Sequence, residues 1–215
     1  MMNVSQQVNL LSERIHALNE DESRQGQRVL VAIAGAPGSG KSTISGELVR
    51  ILNLQKVPAA IVPMDGFHLD NRVLDDLGLR GRKGSPESFD AAGFLHMMRR
   101  VKAGEEVFAP IFDRTRDIAI AGAQAISRDT RVVVCEGNYL LLDEPPWKEL
   151  APLWDISAWI DVALPELRAR LIHRWLSHGF SRTVATQRTE QNDLRNVRRC
   201  IDARLPADLE LKQTG

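Results

Sequence analysis

Hydrophobic and polar positions along the chain form two alternating patterns. Short, continuous apolar runs are typical of strands buried on both faces of a sheet. Other stretches repeat their apolar residues at three- and four-residue steps, which indicates amphipathic helices. The predicted strands are residues 29–34, 59–64, 131–135 and 156–164, with a last strand at 207–211 and β-like fragments at 108–110 and 118–120. The predicted helices are residues 4–20, two helices beginning at 41 and 90, a short helix or turn at 147–153, and helices at 166–177 and 182–203.

This alternation of strands and helices predicts an α/β fold. Its sheet should be mainly parallel and doubly wound, between two layers of helices, with ligands at the carboxyl ends of the strands. The chain has 215 residues and 43% hydrophobic content, which is enough for one substantial core. We therefore expect a single domain over residues 1–215.

Charge and cysteine content exclude several classes of protein. Lys+Arg and Asp+Glu both number 28, so no overall positive charge favours nucleic acid or an anionic membrane. The N-terminal residues lack an apolar core of signal-peptide length, and no apolar run approaches the length of a membrane span. We expect a soluble, cytoplasmic protein that binds neither nucleic acid nor membrane. Cys135 and Cys200 show no metal-ligand pattern and are expected to be reduced.

The strongest motif lies between the first strand and the helix that follows it. The sequence GAPGSGKS at 35–42 satisfies G-x-x-x-x-G-K-[ST]. Glycines let successive N–H groups of the loop turn inward, and the following helix adds the positive end of its dipole. The motif therefore predicts a phosphate-binding loop. It also predicts a P-loop NTPase-type three-layer α/β/α fold. Lys41 should reach the β- and γ-phosphates of ATP, and Ser42 should bind the bridging Mg²⁺. The predicted nucleotide-binding residues are Gly35, Ala36, Pro37, Gly38, Ser39, Gly40, Lys41, Ser42 and Thr43.

Two acidic residues stand at the ends of predicted strands. Asp65 follows the second strand and Glu136 follows the strand RVVVC, so a parallel sheet brings both to the edge that carries the phosphate loop. Asp65 is expected to take the proton of an acceptor hydroxyl as its oxygen attacks the γ-phosphorus. Glu136 is expected to hold magnesium, directly or through water, or to contact the substrate. The alternatives are an ordinary Asp-Gly turn and a strand-end glutamate without function.

The predicted helix at 166–177 carries three arginines. Arg170 and Arg174 share one face, whereas Arg168 lies to one side. We expect that face to close over ATP as part of a lid at about 166–190 and to neutralise charge on the transferring phosphoryl group. A solvated helix face is the alternative.

Five segments together resemble the phosphoribulokinase/uridine kinase superfamily. They are GAPGSGKS, MDGFHLDN at 64–71, RKGSPESFD at 82–90, PIFDR at 110–114 and VVVCEGNYLLL at 132–142. The DGF element and RKGSPESFD are most similar to the bacterial pantothenate kinases and to relatives known as fructose-transport kinases. The resemblance implies that Asp65 is the catalytic base, that Glu136 is the acidic residue of an EG motif, and that Arg170 and Arg174 belong to a basic lid helix.

The excursion at about 66–127 is expected to form the substrate side. In the uridine kinases an aromatic residue of P-x-[FY]-D stacks on the nucleobase, and a histidine follows five positions later. In this chain Phe112 matches the aromatic residue, and Asp117 replaces the histidine. Arg82 and Lys83 either hold an anionic group of the substrate or are solvated loop charges. The predicted substrate-binding residues are Asp65, Phe67, His68, Arg82, Lys83, Phe112 and Glu136.

The leading hypothesis is an ATP- and Mg²⁺-dependent kinase acting on a hydroxyl of a small metabolite, first of all a sugar such as fructose. A nucleoside or a pantothenate-type alcohol is the alternative acceptor. From another class, a nucleotide-dependent regulatory ATPase or switch also uses a phosphate loop, although the [NT]-K-x-D run of a guanine-binding GTPase is missing. A homodimer is possible, and an inactive kinase fold would bind nucleotide without forming product.

Overall fold

The computed structural model describes residues 2–24 and 26–213. The helices are α1 (Val4–Glu20), α2 (Lys41–Leu54), α3 (Asn71–Asp76), α4 (Ala91–Lys102), α5 (Leu164–Ser177), α6 (Arg182–Arg188) and α7 (Leu194–Asp202). The strands are β1 (Val29–Gly35), β2 (Ala59–Pro63), β3 (Val107–Asp113), β4 (Ile118–Ile126), β5 (Val132–Gly137), β6 (Ile156–Asp161) and β7 (Leu209–Lys212). Five strands form one sheet in the order β2-β5-β1-β6-β7, and all of its pairings are parallel.

Helices cover both faces of this sheet. Successive side chains of a strand point to opposite faces, so Cys135 and Glu136 of β5 show which helix covers which face. Cys135 lies 3.7 Å, sulfur to sulfur, from Met98 of α4, and Glu136 is hydrogen-bonded to Ser42 of α2. The predicted α/β/α architecture is therefore confirmed, with β1 and β5 fully buried at its centre.

The register of the sheet aligns the ends of three strands. Glu136 of β5 pairs with Ile33 of β1 and with Pro63 of β2. Because these strands are parallel, the segments that follow all three leave the sheet at the same edge. The phosphate loop follows β1 and a 3₁₀ helix, Met64–Phe67, follows β2, so this edge carries the predicted site.

The excursion after β2 has more structure than its polar sequence indicates. It contains α3, α4 and an antiparallel pair, β3 and β4, that is separate from the main sheet. The pair packs on the 3₁₀ helix Met64–Phe67, and Gln124 of β4 donates a hydrogen bond to the carbonyl of Ile61 in β2 at 2.7 Å. The hairpin is thereby fixed beside the segment that carries Asp65.

The predictions for the segments 156–164 and 182–203 are wrong in part. The apolar run at 156–164 is a strand only to Asp161, because Leu164 already begins α5, with Pro165 in its first turn. The predicted helix at 182–203 is interrupted by a π-helical turn, Thr189–Asp193, between α6 and α7. Such a turn keeps the polar helical pattern while it changes which face each later residue presents.

Arg28 connects the start of β1 to the excursion. Its side chain is buried and donates hydrogen bonds of 2.8–3.0 Å to the carbonyls of Val101, Glu105, Ser127 and Thr130. One guanidinium thus joins the sheet, the C-terminal end of α4 and the turn after β4. Within the described residues, no helix is long and apolar enough to cross a membrane.

Candidate active site

The phosphate loop leads from β1 into α2 through two glycines with left-handed backbone. Gly38 has φ 84° and Gly40 has φ 91°, a backbone region that residues other than glycine rarely adopt. Lys41 then begins α2, and Gly40 accepts the first helical hydrogen bonds from the N–H groups of Thr43 and Ile44. Of the nine predicted nucleotide-binding residues, Gly35 ends β1, the next five form the loop, and Lys41, Ser42 and Thr43 form the first turn of α2.

Lys41 is buried in this loop. Its ammonium donates hydrogen bonds to the carbonyls of Gly35 at 2.9 Å and Ala36 at 3.0 Å. Burial lowers the pKa of Lys41, whereas the nearby carboxylates of Glu136 and Asp65 raise it. The structure thus places two negative charges within electrostatic reach of the ammonium.

Side-chain oxygens of Ser42 and Glu136 lie close together beside the phosphate loop. The Ser42 hydroxyl donates to Glu136 Oε1 at 3.1 Å, and Glu136 is 7% exposed. Burial raises the pKa of Glu136, and the Lys41 ammonium lowers it. Mg²⁺ in nucleotide sites takes one or two protein oxygens and completes its shell with water and phosphate. The residues present therefore fit that ion.

Asp65 lies in the 3₁₀ helix that follows β2. Its Oδ2 accepts a hydrogen bond from Arg114 Nη2 at 2.5 Å, and its charge acts on both Lys41 and Glu136. Because β1 and β2 both pair in parallel with β5, the residue after β2 lies on the same edge of the sheet as the phosphate loop. This is the arrangement predicted from the strand ends; that Asp65 acts as a base stays a prediction.

Aromatic rings line the next part of the site. The His68 ring lies between Phe89, at a centroid distance of 4.0 Å, and Phe112, at 4.6 Å. His68 Nδ1 is 2.8 Å from the carbonyl oxygen of Asp65, and burial lowers the pKa of His68. The structure brings His68 and Phe112 beside Asp65 as a largely apolar wall.

Lys83 reaches this wall but its charge is already neutralised. Its ammonium lies 2.8 Å from Asp117 Oδ2, donates to Asn71 Oδ1 at 2.7 Å, and stands 5.1 Å from the centre of the Phe112 ring. That Lys83 holds an anionic group of the substrate stays a prediction. Asp117, at the position of the uridine kinase histidine, pairs with Lys83.

Phe67 was predicted to bind substrate, and this stays a prediction. Its ring packs edge-on against Phe94 of α4, with centroids 5.0 Å apart, and is partly buried against the hydrophobic core. Side chains on a tight turn point in different directions. The ring of Phe67 therefore packs against the core, whereas the Asp65 carboxylate is bonded to Arg114.

Two predicted lid arginines reach the site from α5. Arg170 Nη1 donates to the carbonyl of Gly38 at 3.3 Å, and its Nε donates to Glu166 at 2.9 Å. Arg174 lies 3.3 Å from Asp193 of the π-helical turn, and its charge lowers the pKa of Lys41. Both arginines are therefore near the phosphate loop.

Arg168 lies apart from that pair, as its position on the helix predicts. It pairs instead with Glu190 at 2.6 Å.

Sequence reasoning gave no role to several residues that the structure brings to the site. Arg114 lies inside the PIFDR segment, so the motif marked the segment but not the contact with Asp65. Asp193 and Gln213 are distant in sequence from the residues they contact, Arg174 and Arg170. No local spacing pattern reports such pairs.

Comparison with protein families agrees with this geometry. The family model described as "Phosphoribulokinase / Uridine kinase family" matches residues 30–203. The chain belongs to the phosphoribulokinase/uridine kinase family. It is therefore a P-loop kinase, a phosphotransferase, as the five sequence segments predict.

Three relatives within or near this family differ in the acceptor that their names give. A crystal structure described as a "putative fructose transport system kinase" from Silicibacter sp. TM1040 is 48% identical, has a TM-score of 0.89, and covers 98% of this chain and 99% of that one. A "Putative uridine kinase" of Schizosaccharomyces pombe is 36% identical over 87% of this chain and 84% of its own length. A pantothenate kinase of Streptomyces coelicolor is 30% identical over 79% of this chain. The match covers about half of that protein, 53% of its length.

Proposed function

We propose that the protein transfers the γ-phosphoryl group of ATP to a hydroxyl of a small polyhydroxylated metabolite. The observation that carries this proposal is the position of Asp65, which follows β2 at the edge of the sheet where Glu136 pairs with Pro63 of β2 and with Ile33 of β1, the strand that leads into the phosphate loop. A carboxylate in that position can accept the hydroxyl proton while the phosphate loop holds the transferring group.

The residues divide the work in a direct transfer. Lys41 exchanges its bonds to Gly35 and Ala36 for phosphate oxygens, and Ser42 with Glu136 would hold Mg²⁺, which neutralises phosphate charge when it is bound. Asp65 orients the acceptor hydroxyl and takes its proton as the new P–O bond forms and the bond to ADP breaks. No covalent intermediate with the protein is needed.

Sugars are the first acceptor class to test, with fructose as the reference compound. The name of the 48% identical relative supports this choice. Nucleosides and pantothenate come second, supported by the names of the other two relatives.

The decisive experiment combines a substrate panel with a variant of the base. Purified protein is incubated with Mg·ATP and each acceptor, and the phosphorylated product and ADP are both quantified. We expect Asp65→Asn to lower kcat by about 100- to 10,000-fold, because the base is lost, while the KM for ATP changes little. Asp75→Asn is the matched control, since Asp75 lies on α3 and pairs with Arg80. Normal turnover in Asp65→Asn would exclude the base assignment.

The same assay separates the kinase from a regulatory ATPase. A kinase forms ADP and phosphorylated acceptor in equal amounts and only when an acceptor is present. ADP formation that is independent of every acceptor would instead favour the switch.

A further inference from the structure

The turn between β3 and β4, residues 114–117, is fixed at its C-terminal end. Asp117 Oδ2 accepts a hydrogen bond from Asn71 Nδ2 at 3.0 Å and lies 2.8 Å from the Lys83 ammonium. Lys83 also donates to the carbonyl of Asp117 at 2.9 Å. Asn71 begins α3, and Lys83 follows the 3₁₀ helix Arg80–Arg82, so two neighbouring segments hold this end of the turn.

Asp113, the last residue of β3, fixes the other end of the turn. Its Oδ1 accepts hydrogen bonds from the backbone N–H groups of Thr115 at 2.9 Å and Arg116 at 3.0 Å. Its Oδ2 lies 2.9 Å from Nε of Arg116. The charge of Arg116 is therefore neutralised inside the turn, whereas the side chain of Arg114 leaves the turn and reaches Asp65.

The same hairpin also contacts the backbone of the segment that carries Asp65. Gly66 packs against β3, where an added Cβ would overlap the carbonyl group of Pro110. Further along the hairpin, Arg114 Nη2 donates to Asp65 Oδ2 at 2.5 Å. The backbone contact at Gly66 and the fixed turn together determine where the guanidinium meets the carboxylate.

The ion pair of Arg114 with Asp65 has little value for stability. The two side chains are 62% and 22% exposed, and ion pairs open to water to this degree stabilise a fold very little. The guanidinium is planar and rigid, so its hydrogen bond restricts the direction of the carboxylate group. Because Arg114 occupies Oδ2, Oδ1 is the oxygen that can take a proton from an acceptor hydroxyl.

We propose that Arg114 is a positioning residue of the kinase reaction, which holds the Asp65 carboxylate through Oδ2 so that Oδ1 faces the acceptor hydroxyl. This inference rests on the proposed function, in which Asp65 is the base. During transfer the acceptor O–H bond breaks and its proton goes to Oδ1, the new P–O bond forms, and the bond to ADP breaks with both electrons going to ADP. Arg114 keeps its protons and its bond to Oδ2 throughout.

Removal of the guanidinium tests the positioning role. Turnover is measured with Mg·ATP and fructose, or with uridine or pantothenate where transfer to one of these is faster. We expect Arg114→Ala to lower kcat by about 10- to 100-fold, because the base is no longer oriented, while the KM for ATP and the melting temperature change little. Arg114→Lys should recover part of the loss. Arg116→Ala is the matched control, since Arg116 lies in the same turn and is 59% exposed, and it should behave as wild type.

Added guanidinium separates positioning from a structural role. The Arg114 side chain is open to solvent, so a free guanidinium ion can take its place in Arg114→Ala. Millimolar guanidinium chloride should restore part of the kcat of this variant, whereas sodium chloride of the same ionic strength should not. Wild type and Arg116→Ala should gain nothing from guanidinium.

A double-mutant cycle shows whether Arg114 acts through Asp65. If it does, Arg114→Ala lowers kcat in the wild-type background but has no further effect in Asp65→Asn, because the group that it orients is already lost as a base. If the two losses multiply, Arg114 acts on the phosphate or the acceptor directly and the inference is wrong.

The contrary results separate this inference from the proposed function. A normal kcat in Arg114→Ala, multiplied losses in the double variant, or no recovery with either lysine or guanidinium would overturn the positioning role while leaving the kinase and its base intact. Normal turnover in Asp65→Asn, or a protein that phosphorylates no compound, would overturn the proposed function and this inference with it.

Discussion

At Gly66, directly after the proposed base, the chain touches the backbone of a neighbouring strand. A Cβ added there would lie 2.3 Å from the carbonyl oxygen of Pro110 and 3.2 Å from the N of Ile111. Neither backbone atom can rotate away as the end of a flexible side chain can. The absence of a side chain at Gly66 therefore lets the segment that carries Asp65 lie directly against β3.

Gly66→Ala should disturb both stability and catalysis. The clash is expected to lower the free energy of unfolding by about 1–3 kcal/mol, as in other overpacked sites, and to reduce kcat by displacing Asp65. Gly46→Ala is the control, because Gly46 lies inside α2 with no atom within 4 Å of an added Cβ. Alanine there should stabilise the helix by up to about 1 kcal/mol. Equal denaturation midpoints for the two variants would contradict this account.

Individual site residues were predictable to different degrees. Lys41, Asp65 and Glu136 follow from a fixed motif and from strand ends in a parallel sheet, which are local properties of the sequence. The pairing of Lys83 with Asp117 is not local, because 34 positions separate them and the folded hairpin alone brings them together. The sequence could therefore offer Lys83 as a candidate for an anion site but could not show that Asp117 pairs with it.

At the scale of elements, α5 and the π-helical turn form one polar unit. Asp193 of the turn accepts hydrogen bonds from Arg174 and from the indole N–H of Trp175, and burial raises the pKa of Asp193. This carboxylate holds Arg174 near the loop before any ligand binds. Helical periodicity predicted α5 and its arginine face, but not the extra residue of the turn that places Asp193 there.

Arg174→Gln should affect the chemical step more than nucleotide binding. If Arg174 stabilises charge that develops during transfer, kcat falls by about 100- to 1,000-fold, the usual loss for one such donor, while the KM for ATP changes only slightly. Arg168→Gln is the control on the same helix, since Arg168 pairs with Glu190. A higher KM for ATP with an unchanged kcat would mean that Arg174 binds ATP without a role in transfer.

For the whole molecule, Arg28 joins the parts that carry the two halves of the site. The sheet carries the phosphate loop, and the excursion carries the proposed acceptor wall. From the start of β1, far along the strand from the phosphate loop, Arg28 donates to three carbonyls of the excursion and to the carbonyl of Thr130 just after it. The relative position of the two parts therefore depends in part on a buried polar contact outside the site.

Arg28→Met should weaken this connection while it keeps most of the apolar stem. We expect the free energy of unfolding to fall by about 2–5 kcal/mol, because buried carbonyls lose their donors, whereas Mg·ATP binding by the folded fraction persists. Arg50→Met, at an exposed arginine paired with Glu47, should leave the unfolding free energy nearly unchanged. Chemical denaturation of both variants measures the difference.

Trp175 offers an optical readout of the unit formed by α5 and the π-helical turn. Its indole N–H is 2.6 Å from Asp193, and Arg188 lies 5.0 Å from the ring centre. Trp147 and Trp159 are buried in the core, and the indole of Trp154 is held by the carbonyl of Leu140. Any shift of α5 against the turn changes the surroundings of Trp175 alone among these indoles. Its fluorescence emission can therefore time such a motion in a stopped-flow instrument, with no attached dye.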